Sequence, residues 1–423
     1  MKKALIVLLS MFMISSVHAQ TNKTVSKFSD FYKANQPDSI YTLFSSEIKT
    51  ALKLEGTRQL VGQIKGQLGE IVSVRKEDAS ANGLTDFRLS FEKPLFEISL
   101  VISNDLIAGL TQKAVKSKGV DSAEINSPDN FYVENKIGRL NGTMTLPKTE
   151  GKVPVVLMIG GSGPTDRNMN QGEALKTNSF YLTANALAKK GIASVRYDKR
   201  GVGKSMSAVN TANITLDDFI DDAKLFINKL ASDDRFSNVI VLGHSEGALI
   251  GLIASLQTKP AAYISVCGTK KDMVTLIGEQ LKPMLTSEDF SVYTQISDSL
   301  KAGKIFSKAM PAALMPIFNP RSQGFLISTL KYDSGRELAK LKIPVLLIGG
   351  TTDLQVPAEA ATQLSKMNNK ASLMVIPEMN HVLKKAPLDR ASNLATYNNG
   401  TLPLHSDIMP ILVDFITKNP RLK

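Results

Sequence analysis

A chain of 423 residues, 43% hydrophobic and 21% charged, has ordinary globular composition and ample length for a core, which argues against both a disordered polymer and a polytopic membrane protein. The formal net charge of +12 comes from lysines spread along the chain with no basic run interleaved with aromatics, so no nucleic-acid partner is expected. Cys267 is the only cysteine and the four histidines form no His-Glu-x-x-His run, which excludes an internal disulfide or a cysteine-based zinc site and leaves no dedicated metal site in view.

The chain opens with Met1-Lys2-Lys3, an apolar run from Ala4 to Ile14, and Val17-His18-Ala19. That order of charge, short apolar stretch and small residues predicts an export signal over residues 1–19, cut after Ala19, and a periplasmic or secreted product. The apolar run is shorter than the roughly 20 residues a bilayer core demands, so no integral membrane segment is expected after cleavage. Removing Lys2 and Lys3 leaves 49 basic against 39 acidic residues.

Residues 20–112 read as a small accessory α+β domain. Ile40, Tyr41, Phe44 and Ile48, then Leu60, Val61, Ile64 and Leu68, recur at helical spacing and predict two or three helices. Strand-like segments follow, with Phe96, Ile98, Leu100 and Ile102 alternating against Glu97, Ser99 and Ser103. The polar stretch from Thr111 to Asn130 lacks periodicity and predicts a linker, drawn over 113–134, ahead of a second domain over 135–423.

In that second domain short apolar runs, Val153–Ile159, Ala193–Tyr197, Val239–Leu242, Tyr263–Val266, Pro344–Ile348 and Leu373–Ile376, alternate with helix-length segments, the pattern of a buried and mostly parallel sheet. One helix is explicit: Thr215 with Asp218 forms a capping pair ahead of Leu216, Phe219, Ile220, Ala223, Phe226, Ile227 and Leu230 on one face. The segment 268–340 is too long for an ordinary crossover and reads as a helical cap over the site. Its Met273, Met284, Met310 and Met315 are either core filler or a substrate-adapting surface.

Val239-Ile240-Val241-Leu242 runs into Gly243-His244-Ser245-Glu246-Gly247 and then Ala248-Leu249-Ile250-Gly251-Leu252, a strand, Gly-x-Ser-x-Gly, helix sequence. The flanking glycines permit the tight turn that lifts a serine oxygen to the carboxyl edge of a sheet. A serine hydroxyl is a weak nucleophile near neutral pH, so a base and a group to orient it must follow. Asp353 stands just past the strand Pro344–Ile348, and His381 just past Leu373–Ile376, giving the order Ser245, Asp353, His381. His405 is the rival base, and Asp353 could instead cap the helix that begins near Ala358.

The tetrahedral intermediate needs two hydrogen-bond donors. One is the backbone N–H of Glu246. The second is assigned to Ser162 N–H in Gly160-Gly161-Ser162-Gly163-Pro164, with neighbouring N–H groups as alternatives. Gly201-Val202-Gly203-Lys204-Ser205 looks like the end of a phosphate loop but lacks the glycine required at Asp198. Cys267 ends an apolar strand and reads as a buried structural thiol.

At these residues the chain resembles the α/β-hydrolase superfamily from about Lys136 to the C-terminus. Asp198-Lys199-Arg200-Gly201-Val202-Gly203-Lys204-Ser205 is similar to a loop many members carry, where it is generally structural. Gly160 to Asn168 is similar to the Gly-Ser-Gly-Pro-x-Asp-Arg loop of a bacterial branch of esterases and serine aminopeptidase-like proteins, except that Gly160 stands where histidine is common. The segment from about Ser26 to Gln112 looks like a small uncharacterised domain that precedes such hydrolases. The resemblance implies hydrolysis of a small-molecule ester, or of a peptide, without a cofactor. The rival from another class is a non-catalytic binding protein on the same fold; the oligomeric state is left open.

Overall fold

The computed structural model describes residues 22–77, 85–92, 97–113, 131–172, 175–206, 214–419 and 422. The export signal expected over residues 1–19 lies outside them. The chain divides into two compact units, Met1–Val115 and Lys116–Lys423.

The first unit begins with α1 (Lys23–Lys33), capped by the Asn22 side chain, then α2 (Pro37–Thr42) and α3 (Ser46–Leu68), which kinks at Lys53. Four strands follow, β1 (Ile71–Lys76), β2 (Thr85–Phe91), β3 (Glu97–Ser103) and β4 (Leu106–Lys113), in an antiparallel meander. Ile98, Leu100 and Ile102 are buried, packed with Phe28, Tyr32 and Ile40 from the helices and Phe44 from the turn between α2 and α3, but Ser99, which the alternation sets on the polar side, is fully buried too. Phe96, the first residue of that alternation, lies outside the described residues.

The second unit holds an eight-stranded sheet built from β5 (Phe131–Asn135), β6 (Gly138–Thr145), β7 (Val153–Ile159), β10 (Ala193–Tyr197), β11 (Phe236–His244), β12 (Ala262–Val266), β13 (Val345–Gly350) and β14 (Ser372–Ile376). The short hairpin β8 (Asn170–Gln171) and β9 (Leu175–Lys176) lies between β7 and β10 in the chain. The order across the sheet is β14-β13-β12-β11-β7-β10-β6-β5, parallel from β14 to β10 and antiparallel at β6 and β5. The linker drawn over 113–134 is therefore too long at both ends. Lys113 closes β4, and Phe131–Asn135 pairs with β6 as the edge strand of the large sheet.

The helices are α4 (Ser179–Ala188), α5 (Leu216–Ala231), α6 (Glu246–Thr258), α7 (Met273–Leu281), α8 (Ser287–Lys301), α9 (Met315–Phe318), α10 (Pro320–Thr329), α11 (Ser334–Lys340), α12 (Glu359–Ser365), α13 (Arg390–Ala395) and α14 (Ile408–Lys418). Strand side chains alternate between faces, so β7 feeds two cores. Val155, Leu157 and Ile159 pack with residues of α5 and α6, whereas Val156 and Met158 pack with residues of α4 and α14. Burial on both faces is why these strands read as unbroken apolar runs. The outermost β14 departs from that reading, with Met374 and Val375 exposed.

Helix α5 carries the Thr215–Asp218 capping box and buries Leu216, Ile220, Ala223, Phe226, Ile227 and Leu230. The insertion between β12 and β13 is helical from α7 to α11 and gathers its own apolar cluster around Val274, Tyr293, Ile296, Leu300 and Phe318. None of the described helices is long and apolar enough to cross a membrane.

Candidate active site

Ser245 sits between β11 and α6 with φ 55° and ψ −120°, a conformation that L-residues rarely adopt and that persists only where the surroundings enforce it. The enforcement is visible at both flanking glycines. A Cβ on Gly243 would lie 2.1 Å from the Gly247 carbonyl oxygen, and one on Gly247 would lie 2.3 Å from the Ile159 carbonyl oxygen. No side chain fits at either position, so the backbone turns within a single residue and lifts Ser245 above the end of β11. The Ser245 N–H donates to the Val266 carbonyl at 2.9 Å, fixing the turn to β12.

Asp353 and His381 emerge from the ends of β13 and β14. His381 Nδ1 donates to Asp353 Oδ2 at 2.7 Å, while Asp353 Oδ1 accepts from the backbone N–H groups of Gln355 at 2.8 Å and Val356 at 2.9 Å. Asp353 is therefore a fully engaged acceptor and does not cap α12, whose N-cap is Ala358. Burial pushes its carboxyl pKa up, but the facing His381 and the two N–H donors outweigh that and hold it below the usual carboxylate value.

The loop carrying His381 is shaped by Asn380, whose Oδ1 accepts from Val382 N and Lys384 N and whose amide donates to Asn393 and Thr396. His244 supports it from below, its Nε2 donating to the His381 carbonyl at 2.8 Å. Burial, then the nearby His381, pull the His244 pKa down to about 3, which keeps its ring neutral. His405 stands elsewhere: its N–H donates to the Leu383 carbonyl and its Nδ1 accepts from Asp407 N, so it fixes the chain entering α14.

Ser162 lies in the loop after β7, and its hydroxyl donates to Glu246 Oε2 at 3.2 Å. Its carbonyl accepts from Gln171 Nε2 and from Thr165 Oγ1, which limits rotation of the peptide. Gly161 passes close to the serine, since a Cβ there would lie 3.2 Å from Ser245 Cβ. Ser162, Ser245, Glu246 and His381 all line one cleft of about 740 Å³. Asp353 stands behind His381, outside that lining.

The wall opposite the sheet comes from the inserted helices, through Met273, Leu276, Ile277, Leu281, Phe325 and Leu326. Met273 and Met284 thus line the cleft, Met273 and Met310 pack against the insertion's own core, and Met284 and Met315 are exposed. Among the described residues Glu246 is the one carboxylate in this lining, and it is already paired with Lys199 Nζ at 3.0 Å.

His244, Cys267 and His381 bring ligand-type atoms within 4.8 Å of one another, the one such grouping among the described residues. Each histidine commits only one ring nitrogen to a protein partner, and His244 Nδ1 has none, so the thiol decides against a metal. His244 Nε2 holds the His381 carbonyl, His381 Nδ1 holds Asp353, and burial followed by the Asp353 charge pushes the Cys267 thiol pKa up, away from the thiolate a metal needs. The phosphate-loop lookalike is a turn: a Cβ on Gly203 would lie 2.6 Å from Asp198 Oδ2, and Ser205 Oγ accepts from Asn141 N.

Sequence reasoning passed over Lys199, read only as part of a structural loop. Its Nζ, buried and under the Phe219 ring at 4.7 Å, reaches both Glu246 and the Gly161 carbonyl. The signal available was a lysine between two charged residues at the end of an apolar strand.

Residues 172–281 match a family model described as serine aminopeptidase, S33. The esterase EstD of Thermotoga maritima is 24% identical over 393 residues, covering 90% of this chain and 92% of that protein. Among solved structures, Est1E from Butyrivibrio proteoclasticus is 18% identical, covers 68% of this chain and 98% of its own, and superposes with a TM-score of 0.44. The Pyrococcus furiosus esterase Pf2001 is 16% identical, covering 70% of this chain and 93% of its own, with a TM-score of 0.44.

Proposed function

We propose that this chain, an α/β-hydrolase of the esterase type, is an exported carboxylesterase that works through an acyl-enzyme on Ser245. The observation that supports this most is the conjunction, along one cleft, of a serine held at positive φ and an imidazole anchored to a buried carboxylate at 2.7 Å. His381 Nε2 takes the Ser245 proton as Oγ bonds to the ester carbonyl carbon. The resulting oxyanion is held by Glu246 N–H and Ser162 N–H, and the imidazolium by Asp353. His381 then gives the proton to the departing alkoxide, leaving acyl-Ser245 and an alcohol. Water repeats the sequence on the acyl carbonyl and releases the acid.

An uncharged ester with an apolar acyl or alcohol portion suits the cleft, whose far wall is aliphatic, Met and Phe side chains. The aminopeptidase reading has the description of the matching family in its favour. It needs a free negative group to receive a peptide's N-terminal ammonium, and among the described residues lining this cleft the one carboxylate, Glu246, is taken by Lys199. The export component rests on the pattern of residues 1–19.

The test is hydrolysis of p-nitrophenyl acetate and butyrate by residues 20–423, beside Ser245→Ala, with an aminoacyl-p-nitroanilide in parallel. Ester turnover that disappears in Ser245→Ala is the expected result. Faster anilide than ester cleavage would transfer the site to the peptidases. Equal inactivity of both proteins, with no labelling of Ser245 by a fluorophosphonate, would leave a binding protein on a hydrolase fold.

A further inference from the structure

The three charged residues after β10 are all buried, and each is paired across the fold. Asp198 is held by Arg167 at 2.7 Å, and Arg200 by Asp222 at 2.7 Å. Those two pairs brace the framework. The middle one is different, because Lys199 reaches into the reaction centre. Its Nζ donates to Glu246 Oε1 at 3.0 Å and to the Gly161 carbonyl at 2.9 Å, and Glu246 Oε2 in turn accepts from Ser162 Oγ at 3.2 Å. The lysine therefore ties the loop after β7 to the first turn of α6, the two segments to which the oxyanion donors are assigned.

We propose that Lys199 is a positioning residue whose charge cancels that of Glu246 beside the oxyanion, an assignment that rests on Ser245 being the nucleophile. The need follows from geometry. Glu246 N–H is an assigned oxyanion donor, and the carboxylate of the same residue is buried, with 3% of the side chain exposed. A carboxylate there opposes the negative charge that develops in the transition state. Two like charges about 7 Å apart, roughly the span of a glutamate plus one hydrogen bond, in an effective dielectric near 20 correspond to a factor of about 50 in rate. With the ammonium 3.0 Å from the carboxylate, the oxyanion meets a neutral pair, and the α6 N-terminus is left to attract it.

A lysine serving only as a tether and one serving as a counter-charge predict opposite behaviour when Glu246 is neutralised as well. The experiment measures kcat and KM for p-nitrophenyl butyrate, and the rate of Ser245 labelling by a fluorophosphonate, in wild type, Lys199→Met, Glu246→Gln and the double variant. Lys199→Met is expected to lose about 50-fold in kcat and labelling with KM within twofold. Adding Glu246→Gln to it should then recover at least tenfold. A double variant no faster than Lys199→Met, or a Lys199→Met within threefold of wild type, overturns the proposal.

Should Lys199→Met not fold, Glu246→Gln decides the question. It leaves the ammonium unopposed and should label Ser245 faster than wild type, and slower labelling overturns the proposal. The underlying reading is separately exposed. Wild type that neither labels nor turns over ester more than Ser245→Ala sinks both ideas, whereas Ser245-dependent turnover without recovery in the double variant sinks the role of Lys199 alone.

Discussion

Replacing Asp353 by asparagine should disable the site without disturbing the fold, because the hydrogen bonds around this side chain dictate how the amide must sit. Oδ1 accepts from Gln355 N at 2.8 Å and Val356 N at 2.9 Å, so the amide oxygen in the Asp353→Asn variant has to take that place. Turning the amide over would set its NH2 against two backbone donors and strand both, at a cost of roughly 2 to 6 kcal/mol. The NH2 therefore faces His381 Nδ1, which must become an acceptor, and the ring proton moves to Nε2. An imidazole protonated there cannot take a proton from Ser245.

A loss on the order of 10⁴-fold in kcat attends this tautomer error in the serine-protease triad, or about 5.5 kcal/mol of transition-state stabilisation. The assay is steady-state hydrolysis of p-nitrophenyl butyrate by Asp353→Asn and wild type, with far-UV circular dichroism and an unfolding midpoint on each. KM should stay within a few-fold, since Asp353 does not line the cleft. A well-folded Asp353→Asn with kcat within tenfold of wild type would refute the reasoning, and with it the pairing of Asp353 and His381 as catalytic partners.

Further outcomes follow from single positions. Lys384 is 1% exposed with no acid among the described residues to compensate it, and burial pulls its pKa down to about 7 from 10.5. The unfolded chain then binds more protons between those values, so stability rises with pH across that window. Lys384→Met should raise the unfolding free energy in a urea titration at pH 7 by a few kcal/mol, a gain that fades toward pH 11, and an unchanged value at pH 7 counts against it. Gly247→Ala forces a Cβ to 2.3 Å from the Ile159 carbonyl oxygen and should cost about 3 kcal/mol or more in a denaturant titration, a loss under about 1 kcal/mol being the contrary result. Produced with residues 1–19 in a Gram-negative host, the mature protein should begin at Gln20 by intact mass and leave the cytoplasm; a full-length cytoplasmic product speaks against export.

What could be read from the sequence was whatever is local. The elbow is local, since Gly243, Ser245 and Gly247 lie within five residues, and their spacing follows from a turn too tight for side chains. Helix α5 is local for the same reason, its cap and apolar face being written in one run. The ends of β13 and β14 could be located from their apolar runs, which is how Asp353 and His381 came to notice together with the competitor His405. The polar stretch was seen to end at Asn130, but the strand that follows it, β5, was not recognised. Phe131–Asn135 is a short edge strand paired on one side, and its alternation amounts to Phe131 and Val133 alone, too few positions to mark a strand by itself.

The contact between Lys199 and Glu246 was out of reach for a deeper reason. These residues are 47 positions apart, and nothing in either neighbourhood names the other. They meet because β7 lies between β10 and β11 in the sheet, so that the loop after β7 is flanked by the ends of both strands. Alternation of strand and helix predicts a parallel sheet but not the order of its members, and that order decides which loop ends converge. A lysine beyond β10 and a glutamate beyond β11 are each costly to bury alone, and each acquires its reason only from the other. Such a pair carries chemistry that motif reading assigns to neither residue, because the motif records the glycines that shape the turn and not the charges the turn brings together.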